Sequence, residues 1–141
     1  MEKDTKRFIY LTSEIEAVYH EAALKFGLSD SALRILYTIC LDGDSCLLSE
    51  VVRFSAISKQ TINSSLRKLE EDGLIYLEAA EGNKKKVCLT EQGKALTAGS
   101  IIKIQVLENE IFSSWTEQER TTYIELTQKY LNAITAKIKE L

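Results

Sequence analysis

The sequence predicts a mainly α-helical fold (an α+β winged helix) with a winged helix-turn-helix core and long helices at both ends. Apolar residues recur every three or four positions through most of the 141 residues, and no proline interrupts them. A short capped helix at residues 58–73 follows another short helix, and two β-rich segments come directly after it. Helix, turn, helix and hairpin in this order indicate a winged helix.

Three helices are predicted ahead of residue 56. The first covers residues 5–26, where the apolar side chains share one face, and it ends at Gly27. Ser29 caps the second helix, which runs to a turn at residues 42–45. The third helix is short and covers residues 47–55.

The next helix is the one around which the chain is organised. The Ser58 hydroxyl can accept a free backbone amide at its start, and Gly73 can adopt the left-handed conformation that ends it. Ile62, Leu66 and Leu69 form one narrow apolar stripe along it. The rest of the helix surface is therefore expected to face solvent.

That exposed surface carries hydroxyls, amides and cations, with no acidic residue before Glu70. Groups of these types bond to the edges of bases and to the phosphates beside them. We predict contacts in the major groove of DNA from Gln60, Thr61, Asn63, Ser64 and Arg67. We predict phosphate contacts from Ser58, Lys59 and Lys68.

A two-stranded hairpin, the wing, is predicted after this helix. Residues 74–77 and 87–90 are rich in β-compatible side chains, and residues 81–83 contain the turn. The loop side carries the further predicted DNA contacts, Asn83, Lys84, Lys85 and Lys86. A lysine tip also protects a hairpin edge from pairing with other chains, so the cluster has a purely structural interpretation as well.

Two more helices are predicted after the wing. One continuous helix runs from Glu91 to Ser114. A second begins at a capping box formed by Thr116 and Glu119 and keeps its apolar stripe up to Leu141. A stripe that reaches the last residue is explained more economically by a partner helix than by the core alone.

These patterns predict the organisation of the whole chain. We expect one domain, residues 1–141, with a DNA-binding winged helix core at 29–94 and dimerisation helices at 1–28 and 95–141. The partner expected for these helices is a second copy of the chain, since symmetric homodimers are the commonest assemblies.

The distribution of charge favours a localised anionic partner. The net charge is −3, yet residues 51–69 contain four cations and no acid, and residues 82–90 contain three lysines and no acid. Two basic islands on an acidic chain are typical of a protein with a defined nucleic-acid surface.

Other function classes find little support in the residues. No nucleophile–base pair, phosphate loop or metal-ligand spacing is present, so we expect no enzyme, no cofactor and no metal site. The chain has no apolar run of membrane length and no signal-peptide pattern, which predicts a cytoplasmic protein without a membrane partner. Cys40, Cys46 and Cys88 are expected to be free thiols, and a redox-sensing role for them stays open.

The order of elements and several motifs resemble the MarR family of winged helix-turn-helix bacterial transcriptional regulators. The motifs are Ser58-Lys59-Gln60-Thr61-Ile62-Asn63, the stretch L-R-K-L-E-E-D-G-L-I at 66–75, and V-C-L-T-E-Q-G at 87–93. The resemblance implies a homodimer that binds a palindromic operator in double-stranded DNA and often represses nearby genes. It also implies release of the DNA by a small, frequently aromatic ligand, whereas other members respond to cysteine oxidation or metal.

The chain departs from the family pattern in the wing. Glu81 and Asn83 stand where the family commonly has D-x-R, and Leu77 stands where an arginine often closes the strand. We therefore expect a sequence-specific DNA-binding transcriptional regulator, a repressor released by a ligand, with a weaker wing contribution than in typical members. The alternatives are a winged-helix module whose polar helix meets an acidic protein, and a cysteine-based redox regulator.

Overall fold

The computed structural model describes residues 1–141 and contains seven helices and one three-stranded antiparallel sheet. The helices are α1 (Lys3–Lys25), α2 (Asp30–Ile39), α3 (Leu48–Phe54), α4 (Lys59–Glu71), α5 (Glu91–Ala98), α6 (Ile101–Ser114) and α7 (Glu117–Lys139). The strands are β1 (Ser45–Leu47), β2 (Ile75–Ala79) and β3 (Lys85–Leu89). The predicted fold class, a mainly helical winged helix, is confirmed. None of the helices combines the length and apolarity that a membrane span requires.

The chain divides into two compact units, residues 1–103 and residues 104–141. The first unit contains α1 to α5 and the sheet, and its core is centred on α2, which packs against α1, α3 and α4. The apolar side chains with no exposed surface in this core are Ile35, Leu36, Ile39, Val51, Ile62, Val87 and Ile101. The second unit contains most of α6 and all of α7.

The capping signals in the sequence are confirmed. The Ser29 hydroxyl accepts the amide of Ala32 at 3.1 Å and begins α2. At the start of α7 the Thr116 hydroxyl accepts the amide of Glu119, and the Glu119 carboxylate accepts the amide of Thr116. Gly27, with a φ of +69°, follows α1 in the left-handed conformation that ends helices.

The sheet has one strand more than the predicted hairpin. Strand β1 pairs antiparallel with β3, with Cys46 opposite Val87, so the strand order is β1-β3-β2. Three residues are too short to show an alternating pattern, and β1 finds its partner some 40 residues later in the chain. The sequence pattern therefore assigns these residues to the turn at 42–45 and to the start of the third helix.

The predicted continuous helix from Glu91 to Ser114 is wrong, because it is interrupted between α5 and α6. Gly99 ends α5, and the hydroxyl of Ser100 donates to the carbonyl of Leu96 at 2.8 Å. A glycine followed by a serine that bonds back to the preceding turn favours a break over helix continuation. The apolar periodicity on both sides of these residues conceals the break.

Candidate nucleic-acid interface

Helix α4 is fixed at both ends and along one side. Ile62, Leu66 and Leu69 are buried, as their spacing predicts. The Ser58 hydroxyl accepts the amide of Thr61 at 3.2 Å at the first turn. At the last turn, the chain reverses through Gly73 with a φ of +75°. The helix is therefore a firm support for the side chains on its other face.

The base of the wing is attached directly to the end of α4. The Thr90 hydroxyl donates to the carbonyl of Gly73 at 2.6 Å, and the Thr90 amide donates to the carbonyl of Leu74 at 3.1 Å. The same Thr90 oxygen accepts the amide of Gly93 in α5 at 3.0 Å. These bonds join the end of α4, the start of β2 and the start of α5, so the wing cannot pivot freely about α4.

All of the predicted contact residues of α4 are exposed: Ser58, Lys59, Gln60, Thr61, Asn63, Ser64, Arg67 and Lys68. Three of them, Ser58, Thr61 and Lys68, also have structural partners. The Ser58 hydroxyl, besides capping the helix, donates to the Thr61 hydroxyl oxygen at 2.8 Å. The ammonium group of Lys68 lies 3.6 Å from the carboxylate of Asp72. The other predicted residues present their polar atoms to solvent.

The wing residues are arranged differently from the predicted lysine-tipped loop. Asn83 and Lys84 lie in the turn, but Lys85 and Lys86 belong to strand β3. Because side chains alternate along a strand, these two lysines lie on opposite faces of the wing. Lys85 is exposed, whereas Lys86 is half-buried opposite Glu78 of β2.

Most cations of the candidate interface have no acidic partner. The ion pairs of the chain are His20–Asp30, Lys68–Asp72, Lys94–Asp44 and Lys94–Glu91. Consequently Lys59, Arg67 and the three wing lysines form no ion pair. Unpaired cations on α4 and the wing, together with the exposed amides and hydroxyls of α4, are suited to binding a polyanion.

Two residues near the interface were not predicted from the sequence. Ser65 of α4 is half-buried and hydrogen-bonds Ser31 of α2, with 2.6 Å between the two hydroxyl oxygens. Arg53, in the last turn of α3, is exposed and lies 5.3 Å from the ring centre of Phe54. Ser65 lies beside the apolar stripe of α4, and this position in the sequence indicates that its hydroxyl contacts the core.

The three cysteines are free thiols, and all are buried. Burial raises the pKa of Cys46 to about 11, with a further contribution from Glu50. Burial is also the main cause that raises the pKa of Cys40 and of Cys88. The thiols are therefore protonated at neutral pH, which is unfavourable for reaction with oxidants. No group of His, Cys, Asp and Glu side chains is arranged to hold a metal ion.

Residues 26–86, the segment that contains α2, α3, α4 and β2, match the model of the MarR family. None of the curated proteins matches the chain in sequence.

Solved structures that include MarR family regulators are similar over almost the whole chain. A MarR family regulator from Neisseria meningitidis has a TM-score of 0.76 at 22% identity, with 96% of each chain covered. S. aureus MepR in its DNA-binding conformation has a TM-score of 0.76 at 19% identity, with 94% of this chain and 99% of MepR covered. NadR in complex with 4-hydroxyphenylacetate has a TM-score of 0.71 at 13% identity, with 92% and 93% covered. At these identities the likeness establishes the MarR fold of the chain.

Proposed function

We propose that this chain is a MarR-family transcriptional regulator that binds a palindromic operator in double-stranded DNA as a homodimer. The observation that carries the proposal is the solvent face of α4, which has no acid before Glu70 and whose Lys59 and Arg67 form no ion pair. An exposed helix of this kind enters the major groove in helix-turn-helix proteins. MepR, which has the same fold, is described in a DNA-binding conformation.

The exposed side chains divide into two roles. Base edges are read by Gln60, Thr61, Asn63, Ser64 and Arg67, because amides, hydroxyls and a guanidinium offer directional hydrogen bonds. Phosphates are bound by Ser58, Lys59, Lys68, Asn83, Lys84, Lys85 and Lys86. Since Lys86 is half-buried and Lys68 is paired with Asp72, Lys59, Lys84 and Lys85 contribute most of the phosphate binding.

A second copy of the chain is proposed to cover the terminal helices. Helix α7 has 23 residues and none of them is buried. Ile124, Leu126, Leu131 and Ile138 expose more than half of their surface. Helix α1 likewise exposes Val18 at 63%. Apolar faces of this length are unusual on a monomer and are typical of an interface.

The domain roles follow from this assembly. The winged helix core at 29–94 binds DNA, and the segments 1–28 and 95–141 form the dimer. Two copies related by a twofold axis present two α4 helices to successive major grooves, which matches a palindromic site.

Repression relieved by a small aromatic ligand is the proposed form of regulation. NadR, which shares the fold, is described in complex with the aromatic acid 4-hydroxyphenylacetate. Redox sensing by the cysteines is less well supported, because burial raises the pKa of Cys40, Cys46 and Cys88.

Substitution of Arg67 tests the proposed function. A duplex selected from random DNA by the wild-type chain is compared with a scrambled duplex of the same composition. Arg67→Ala is expected to weaken binding of the selected duplex by about 1–3 kcal/mol and to reduce the preference over the scrambled duplex. Arg67→Lys is the matched control, because it keeps the charge but loses the two-pronged hydrogen bond.

The two variants separate base reading from attraction to phosphate. Arg67→Lys should retain the salt dependence of the wild type while losing sequence preference. If Arg67→Lys kept the full preference, Arg67 would be a phosphate contact. If the wild type preferred no sequence at low salt, the protein-interaction module would be favoured, and an acidic protein partner would be the next candidate.

A further inference from the structure

The contact between α4 and α2 combines an apolar stripe with a hydrogen bond. Ile62, Leu66 and Leu69 are buried in the core of the first unit. Beside them, the hydroxyl oxygen of Ser65 lies 2.6 Å from that of Ser31 in the first turn of α2. Apolar contacts have little directional preference, whereas a hydrogen bond of this length constrains the position of both groups.

The position of Ser65 makes it effective against rotation of α4 about its own axis. At 3.6 residues per turn, Ser65 lies about 60° around the helix from Ile62, at one edge of the apolar stripe. A helix surface about 5–6 Å from the axis moves by about 1 Å for a rotation of about 10°. Hydrogen bonds between the opposite face of α4 and base edges tolerate a change in length of only a few tenths of an ångström. Such a displacement is therefore enough to break them.

The partner hydroxyl of Ser31 is itself held in place. The hydroxyl oxygen of Ser29 lies 3.2 Å from that of Ser31, and it also accepts the amide of Ala32 as the cap of α2. The carboxylate of Asp30 in the same turn lies 2.8 Å from Nδ1 of His20 in α1. The first turn of α2 is thus attached both to its own cap and to α1, and it offers a fixed point for α4.

We propose that the Ser31–Ser65 hydrogen bond is a positioning contact that sets the rotation of α4 and thereby its sequence preference. The inference rests on the proposed function, in which α4 reads DNA. Ser31 and Ser65 do not touch the bases in this role. They determine the angle at which Asn63, Ser64 and Arg67 face the groove.

Removal of either hydroxyl tests the proposal. The measured quantity is the ratio of affinities for the selected duplex and the scrambled duplex. Ser31→Ala and Ser65→Ala should each lower this ratio about threefold to tenfold, which corresponds to one hydrogen bond. The double variant should have an affinity ratio no lower than that of the more affected single variant, because both changes remove the same contact. Ser65→Thr, which keeps a hydroxyl, should restore part of the ratio.

Thr38→Val is the matched control, because Thr38 lies in α2 like Ser31 and its hydroxyl donates to its own helix, at the carbonyl of Arg34. Its affinity ratio should remain that of the wild type. Amide chemical shifts of the free protein supply a readout that needs no DNA. Ser31→Ala and Ser65→Ala should shift the same set of α4 amides, although Ser31 lies in another helix.

The outcomes distinguish this inference from the proposed function. A wild type that prefers no sequence would refute the proposed function. A wild type with a clear preference, combined with a Ser31→Ala variant whose ratio and α4 amide shifts are unchanged, would overturn the positioning role alone. Additive losses in the double variant would also overturn it, since two independent contacts would then be involved.

Discussion

Gly93 lies where helix α5 passes closest to the base of the wing, and its replacement by alanine should destabilise the fold strongly. A methyl carbon at this position would lie 2.0 Å from the carbonyl oxygen of Leu74 and 3.3 Å from a methyl group of Leu89. The first atom belongs to the backbone and cannot turn away. To reach ordinary contact distance, α5 and the start of β2 must separate by more than an ångström.

The cost follows from what this separation disturbs. Overpacking of a core position costs typically about 1–3 kcal/mol, and more where backbone must move. The hydrogen bonds from Thr90 to Gly73 and Leu74 join the same two segments. Each contributes about 1 kcal/mol net to the free energy of unfolding. We expect Gly93→Ala to lower the free energy of unfolding by about 3–5 kcal/mol, a large part of the total for a small protein.

Denaturation in urea at a fixed protein concentration measures this loss, and Gly99→Ala is the matched control. Gly99 has a negative φ of −88°, which alanine can adopt, and the nearest atom to an added methyl carbon lies 3.7 Å away. The same chemical change there should be neutral or slightly stabilising. If Gly93→Ala had the same urea denaturation midpoint as the wild type, the close approach of α5 to the carbonyl of Leu74 would be contradicted.

Two further predictions concern the turn before α4 and the buried thiols. Ala56 has a φ of +55°, a conformation that costs most residues about 1–2 kcal/mol, so Ala56→Gly should raise the free energy of unfolding by about 0.5–1 kcal/mol after the entropic cost of glycine. A lower denaturation midpoint would contradict the left-handed turn. The pKa of Cys46 is raised from 9.0 to about 11 in the folded chain, so the unfolded chain loses this proton first and stability should fall as pH rises from about 9 to about 11. Cys46→Ser should remove that part of the pH dependence, and an unchanged profile would show that Cys46 is not its source.

Local signals predicted most of the fold and the exposed face of α4. The helix caps Ser29, Ser58 and Thr116 could be predicted because each accepts the amide of the residue three positions later. Both partners of such a bond lie within one short stretch of sequence. The spacing of Ile62, Leu66 and Leu69 similarly determines which side of α4 is buried. Each of these inferences depends on neighbours within one or two turns.

The features that were missed depend on residues far apart in the chain. Strand β1 exists because Ser45–Leu47 meet β3, and no pattern within three residues reveals this pairing. The contact of Ser65 with Ser31 joins two residues that are 34 positions apart in the chain. The strand position of Lys85 and Lys86 depends on the register of β3 against β2, which fixes Lys86 opposite Glu78. Periodicity alone specifies none of these pairings.

The salt dependence of DNA binding tests the central claim most directly. Affinity for the selected duplex is measured across salt concentrations for the wild type, for Lys84→Ala/Lys85→Ala/Lys86→Ala, and for a control that removes the exposed lysines Lys103, Lys129 and Lys139. All three proteins are compared at a concentration at which sedimentation shows the same oligomeric state. The wild type should prefer the selected duplex, and the wing variant should lose up to about three units of the log–log slope per chain. The control removes the same charge and should keep the slope of the wild type. A wing variant with an unchanged slope, or a wild type that binds both duplexes equally at low salt, would contradict the account.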